Sequence, residues 1–141
     1  MPDFPSRAWC EEALRLLEAD PETVRAGQGW TSAIGLVVEA EAGKLKNPFV
    51  VYLQPVDGKI ERWRVLVDPD DLDEFEPEYR IQAPYSVWKG FLLGTLDPVE
   101  AVLRRQVKVE GDLQPLVERM QHKGLAERVL GRIQTRFVDE P

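Results

Sequence analysis

A chain of 141 residues with a net charge of −7 is expected to fold as one domain over residues 1–141, burying about two-thirds of its surface. That acidic balance argues against nucleic acid or an anionic membrane as partner, since either calls for a basic face. Hydrophobic residues at 43% and charged residues at 30% are ordinary for a soluble globular protein. No apolar run approaches the ~20 residues of a membrane span. The start of the chain lacks a signal-peptide core. Cys10 is the single cysteine, which leaves no internal disulfide and fits a reducing compartment. A cytoplasmic protein with no integral membrane segment is expected.

In chain order, Met1–Pro5 reads as a loose lead-in. Ser6 can cap a helix whose Trp9, Ala13, Leu16 and Leu17 share one apolar face. Asp20-Pro21 opens a second, short helix that ends near Gly27. Trp30–Glu41 reads as a strand, with Ile34, Leu36, Val38 and Ala40 on one side and Thr31, Ala33, Gly35 and Val37 on the other. Both sides are light in charge, the mark of a central strand. Phe49–Leu53 and Ile60–Val67 are two more strands joined through Asp57-Gly58, a hairpin signal. A regular two-residue turn sets Tyr52 opposite Trp63 and Val50 opposite Val65, and that apolar face is assigned to the interior. Arg62 and Arg64 then fall on the other face, either solvated and ion-paired or in contact with an anionic head group or partner.

Asp68–Glu78 is an acidic stretch. It lacks the central glycine and spaced glutamate of a calcium loop, so it reads as an exposed crossover and no metal site is expected. Tyr79, Ile81 and Ala83 alternate with polar neighbours as a half-buried strand that Pro84 ends. Tyr85, Trp88, Phe91 and Leu92 recur on one helical face, and Gly94 suits the left-handed residue after it. Asp97-Pro98, with Glu100, starts a helix with Val99, Val102 and Leu103 as its buried stripe. Val107 and Val109 alternate as a strand, and Gly111 breaks it. Asp112 caps a helix carrying Leu116, Val117 and Met120, which stops at His122-Lys123-Gly124. Ala126, Val129, Leu130, Ile133 and Phe137 form the stripe of a last helix before an acidic tail.

Catalytic signatures are missing. His122 is the single histidine and its place suits a helix cap better than a general base. No Walker loop or dinucleotide fingerprint occurs. No catalytic residue and no cofactor are assigned, and the protein is expected not to be an enzyme. An acid–base role for the Asp68–Glu78 carboxylates is the weakest reading, because nothing brings them to a cleft.

The runs Phe91-Leu92-Leu93-Gly94-Thr95-Leu96-Asp97-Pro98 and Val107-Lys108-Val109-Glu110-Gly111-Asp112-Leu113 resemble the sterol carrier protein type 2 family. The order of the preceding elements fits too. Arg105 departs from the resemblance, since the family often has glycine before the last strand. The resemblance implies an α+β fold: a five-stranded mixed, mostly antiparallel sheet covered by helices, with an apolar tunnel between. It implies a non-catalytic carrier of a hydrophobic small molecule such as a sterol, fatty acid, acyl-CoA or quinone-like lipid. With the alternation, it places Tyr52, Trp63, Val65 and Ile81 on the floor, and makes walls of the helix bearing Trp88, Phe91 and Leu92 and of the last helix. Leu103 and Met120 complete the expected ligand contacts. The alternative is a pocketless interaction module of the same fold, serving as a homodimer or accessory piece.

Overall fold

The computed structural model describes residues 1–120 and 123–140, apart from the side chains of Lys123, Leu125 and Ala126. His122 lies outside the described residues. The chain runs β1 (Asp3–Phe4), α1 (Arg7–Ala19), α2 (Pro21–Ala26), β2 (Ile34–Glu39), β3 (Phe49–Val56), β4 (Lys59–Leu66), a 3-10 helix (Pro69–Glu74), β5 (Tyr79–Pro84), α3 (Tyr85–Leu93), α4 (Pro98–Leu103), β6 (Lys108–Glu110), α5 (Leu113–Met120), α6 (Lys123–Leu130) and β7 (Arg136–Phe137).

The helix starts follow from their capping residues. The Ser6 hydroxyl accepts from the Trp9 amide at 3.1 Å, Asp20 accepts from Thr23, and Asp97 accepts from the amides of Val99 and Glu100. These side chains satisfy amides that the first turn leaves without an intrahelical partner. Gly94 ends α3 in the left-handed region, as its sequence position predicts.

Five strands form a mixed sheet in the order β4-β3-β2-β5-β6, with β2 at its centre. The β2–β5 pair is parallel, and the β2–β3, β3–β4 and β5–β6 pairs are antiparallel. This is the expected α+β architecture.

The hairpin turn at Asp57-Gly58 forms with both residues at positive φ. Its register differs from the expectation. A bulge between Gln54 and Pro55 slips the ladder by one residue, so Leu53 faces Trp63, Val51 faces Val65 and Tyr52 faces Arg64. Proline has no amide hydrogen to give the ladder, and a bulge is where a strand tolerates it. A one-residue slip exchanges the faces of everything beyond it.

One face, here called inner, therefore carries Leu36 and Val38 of β2, Val51 and Leu53 of β3, Trp63 and Val65 of β4, and Ile81 of β5. Tyr52 lies on the outer face. There it packs in a second core with Ala33, Val37, Val50 and Leu72. Leu72 comes from the 3-10 helix and is fully buried. A Cβ on Gly35 would come within 2.8 Å of the Leu72 side chain, so a larger residue here would have to displace it. The acidic crossover is thus a structured cover rather than an exposed loop: Asp68 and Asp71 cap it reciprocally, while Leu72 and Phe75 face the sheet. Arg62 and Arg64 lie over the Phe75 ring at 5.6 and 6.0 Å.

The two chain ends also differ from expectation. The segment read as a loose lead-in contains β1, which pairs in parallel with β7. Phe4 is buried among Trp9, Tyr85, Ile133 and Phe137. The last helix ends at Leu130, and Phe137, expected on its stripe, lies in β7 instead. Gly124, expected as a helix stop, falls in the first turn of α6.

Candidate functional site

The site is the space between the inner sheet face and the helices laid across it. Residues at helical spacing on α1 give one wall: Trp9, Cys10, Ala13, Leu14 and Leu17. The floor alternates along two strands, with Leu36 and Val38 from β2 and Phe49, Val51 and Leu53 from β3. Trp88, Phe91 and Leu92 of α3 close it from above, and Phe4, Pro5 and Leu130 close one end. Together they enclose a cavity of about 260 Å³.

A second cavity of about 220 Å³ lies on the same inner face towards β6. Ile81 and Val109 form its floor with Leu36. Pro98 and Val102 of α4 and Leu116 and Met120 of α5 cover it. Leu36, Trp88 and Phe91 line both cavities.

Among the described residues no charged side chain lines either cavity. The one indole N–H shared by the linings, Nε1 of Trp88, donates to the carbonyls of Val37 and Ala83, each at 3.1 Å. Cys10 supplies a thiol whose pKa is pushed up to about 12, chiefly by burial, with Arg7 opposing and Glu11 adding to the shift. It stays neutral and behaves as a small apolar group. Among the described residues no Asp or Glu reaches the lining of either cavity. Among the described residues no cluster of three or more His, Cys, Asp or Glu is placed to hold a metal ion.

The end wall is tied down by polar contacts. Trp9 Nε1 donates to the Thr135 hydroxyl at 2.9 Å. The Tyr85 hydroxyl donates to Asp139, which also accepts from Lys89 Nζ at 3.0 Å. Lys89 bridges to Glu140 as well and sits over the Phe137 ring. Burial works against the charge on Asp139, but the hydrogen bonds from Tyr85 and Lys89 outweigh it and leave its pKa lowered.

Of the residues expected at the ligand, Trp88, Phe91 and Leu92 come together at the first cavity, and Ile81, Trp88, Phe91 and Met120 at the second. Tyr52 is on the outer face because of the Pro55 bulge. Trp63 and Val65 share the inner face but lie outside both linings, and Arg7 covers the Trp63 ring at 5.5 Å. Leu103 is 69% exposed, because Ala101 and Val102, not Leu103, turn inward from α4. The α1 wall and the β3 floor were not singled out as contacts. Their signal was present in the apolar face of the first helix and in the Leu36–Val38 alternation, but only the correct hairpin register directs Val51 and Leu53 inward.

No family model matches the sequence, and no curated protein matches it either. Solved structures do. A crystal structure of sterol carrier protein 2 superposes with a TM-score of 0.75 at 18% identity, covering 93% of this chain and 99% of that one. The chain has the sterol carrier protein 2 fold. A conserved hypothetical protein from Thermus thermophilus shares the fold with a TM-score of 0.73 at 19% identity, over 92% of this chain and 90% of that one. Palmitated SCP2L2 from Aedes aegypti matches with a TM-score of 0.56 at 12% identity, over 82% and 90% of the two chains. In the sterol carrier protein 2 fold of this chain, the helix carrying Trp88 and Phe91 follows directly on β5, which sets both rings over the centre of the sheet.

Proposed function

We propose that this protein is a non-catalytic carrier that holds a hydrophobic small molecule on the inner face of its sheet. The observation that carries this reading is the lining: two adjoining cavities of about 260 and 220 Å³ with apolar walls and three side chains in common. Together they reach the ~300–1,000 Å³ typical of small-molecule sites. Left unfilled in solution, the larger one alone would cost about 6 kcal/mol at ~24 cal/mol per Å³. That is comparable to the ~5–15 kcal/mol that keeps a domain folded. A guest that fills the space removes this penalty and withdraws its own apolar surface from water at ~25 cal/mol per Å².

The fold is compatible with such a guest, since one solved neighbour is a palmitated protein. Trp88, Phe91, Leu92, Ile81 and Met120 would contact the ligand from the set expected from sequence, joined by Leu36, Val51 and the α1 wall. Among the described residues the polar groups nearest the site are engaged with one another or with the backbone, which supports sequestration as the activity. No helix among the described residues is long and apolar enough to cross a membrane. A cytoplasmic location is part of this proposal, supported by the single cysteine and the acidic charge balance.

Titration with a fluorescent fatty acid, competed by unlabelled palmitic acid and run beside a sedimentation measurement, tests the reading. One competable site per chain supports it. A stable dimer with no uptake would instead favour a pocketless interaction module.

A further inference from the structure

The two cavities are not independent. Leu36, Trp88 and Phe91 stand between them and line both, so any guest large enough to use the whole site passes these three side chains. Each lobe by itself is below the ~300 Å³ where sites for drug-sized ligands begin. The lobes lie side by side across the strands, from β3 on one flank to β6 on the other, a span of about 14 Å at ~4.8 Å per strand.

The three residues differ in their freedom. Leu36 belongs to the central strand, paired on both sides. Trp88 is fixed by its two hydrogen bonds to the backbone of β2 and β5. Phe91 packs edge-on against Trp88 at 5.8 Å with no hydrogen bond to hold it. The result is a waist with two rigid sides and one side that only packing restrains.

We infer that the waist of Leu36, Trp88 and Phe91 selects a flexible single aliphatic chain and rejects fused-ring lipids. This deepens the carrier reading and rests on it. A saturated chain turns among staggered conformers at every carbon–carbon bond and can thread a constriction from one lobe into the next. A fused ring system has no such freedom. It fits only if the waist is opened, and forcing a packed interior apart is costly. Among the described residues no charged group lines either lobe, so the recognition falls on the shape of the apolar part of the guest.

Competition for the fluorescent fatty-acid site by palmitic acid and by cholesterol tests this. In the native protein palmitic acid should compete at least about tenfold better than cholesterol, and Phe91→Ala should narrow that gap by about tenfold. Phe91→Leu, which keeps an apolar side chain in the packing, should give an intermediate ratio and guards against loss of fold in the alanine variant. Equal competition by both lipids in the native protein would overturn the waist while leaving the carrier reading intact. So would an unchanged ratio in both folded variants. Uptake of neither lipid would remove the carrier reading and the waist with it.

Discussion

The Tyr85 hydroxyl donates to the Asp139 carboxylate at 2.7 Å, joining the first turn of the helix over the cavity to the last turn of the chain. Lys89 completes the contact from one helical turn further on, and both Lys89 and Asp139 are only 16% exposed. The ribbon of β1 and β7 is held against the cavity end by this clamp, by the Trp9–Thr135 hydrogen bond and by the aromatic cluster around Phe4.

Asp139→Asn should therefore lower stability at neutral pH by about 1.5–3 kcal/mol, the range for hydrogen bonds to a charged group. The sign with pH follows from the lowered pKa of Asp139. A depressed carboxylate stabilises the fold above its unfolded value, and the contribution is lost as pH falls through the folded value. Thermal melts from pH 7 to pH 3 should show the native protein losing this increment below about pH 4, with the asparagine variant less sensitive over the same interval.

Arg105 offers a backbone test. It occupies the left-handed region at φ 62° just after α4. The Gln106 amide reaches the Ala101 carbonyl and the Arg105 amide reaches that of Val102. This is the Schellman pattern, whose left-handed residue is normally glycine. Arg105→Gly should stabilise the protein by about 0.5–1 kcal/mol by relieving the Cβ penalty, and Arg105→Ala should give no such gain. Urea unfolding of the three proteins distinguishes them.

Cys10 should be a slow thiol. Burial holds its pKa at about 12, so at pH 8 its thiolate fraction is smaller than that of a free cysteine by about a thousandfold or more. Alkylation by iodoacetamide should be slower in proportion, and palmitic acid should slow it further because the thiol faces the first cavity. A rate matching free cysteine, unaffected by palmitic acid, would show the wall of α1 to be open.

Filling the first lobe should separate binding from folding. Val51→Phe points an aromatic ring into the cavity in place of two methyl groups and should weaken palmitic acid binding by more than about tenfold, with a stability change within about 1–2 kcal/mol. Tyr52→Leu, one residue away on the outer face, should disturb the core around Leu72 yet leave palmitic acid affinity unchanged. Competition titrations and urea melts on both variants check the pair.

The contrast between Val51 and Tyr52 also marks where sequence stopped being readable. Elements with their own punctuation were legible: Ser6, Asp20-Pro21, Gly94 and Asp97-Pro98 act within a few residues and fix helix ends locally. The central place of β2 was legible because both its faces are apolar. The face of the hairpin was not, because alternation fixes a face only relative to a register, and Pro55 shifted that register without changing the turn. Leu103 failed for a related reason: α4 spans only six residues, too short for a periodic stripe to settle which side is buried. The β1–β7 pairing joins opposite ends of the chain through two residues each, and so short a pairing carries no local pattern.

A titration with palmitic acid followed on the methyl resonances of the protein addresses the oily compartment itself. Saturation at one molecule per chain is expected, with the largest shifts at Leu36, Val51 and Leu92. Absence of saturable binding, or shifts confined to Val37, Val50 and Leu72 on the other side of the sheet, would contradict it.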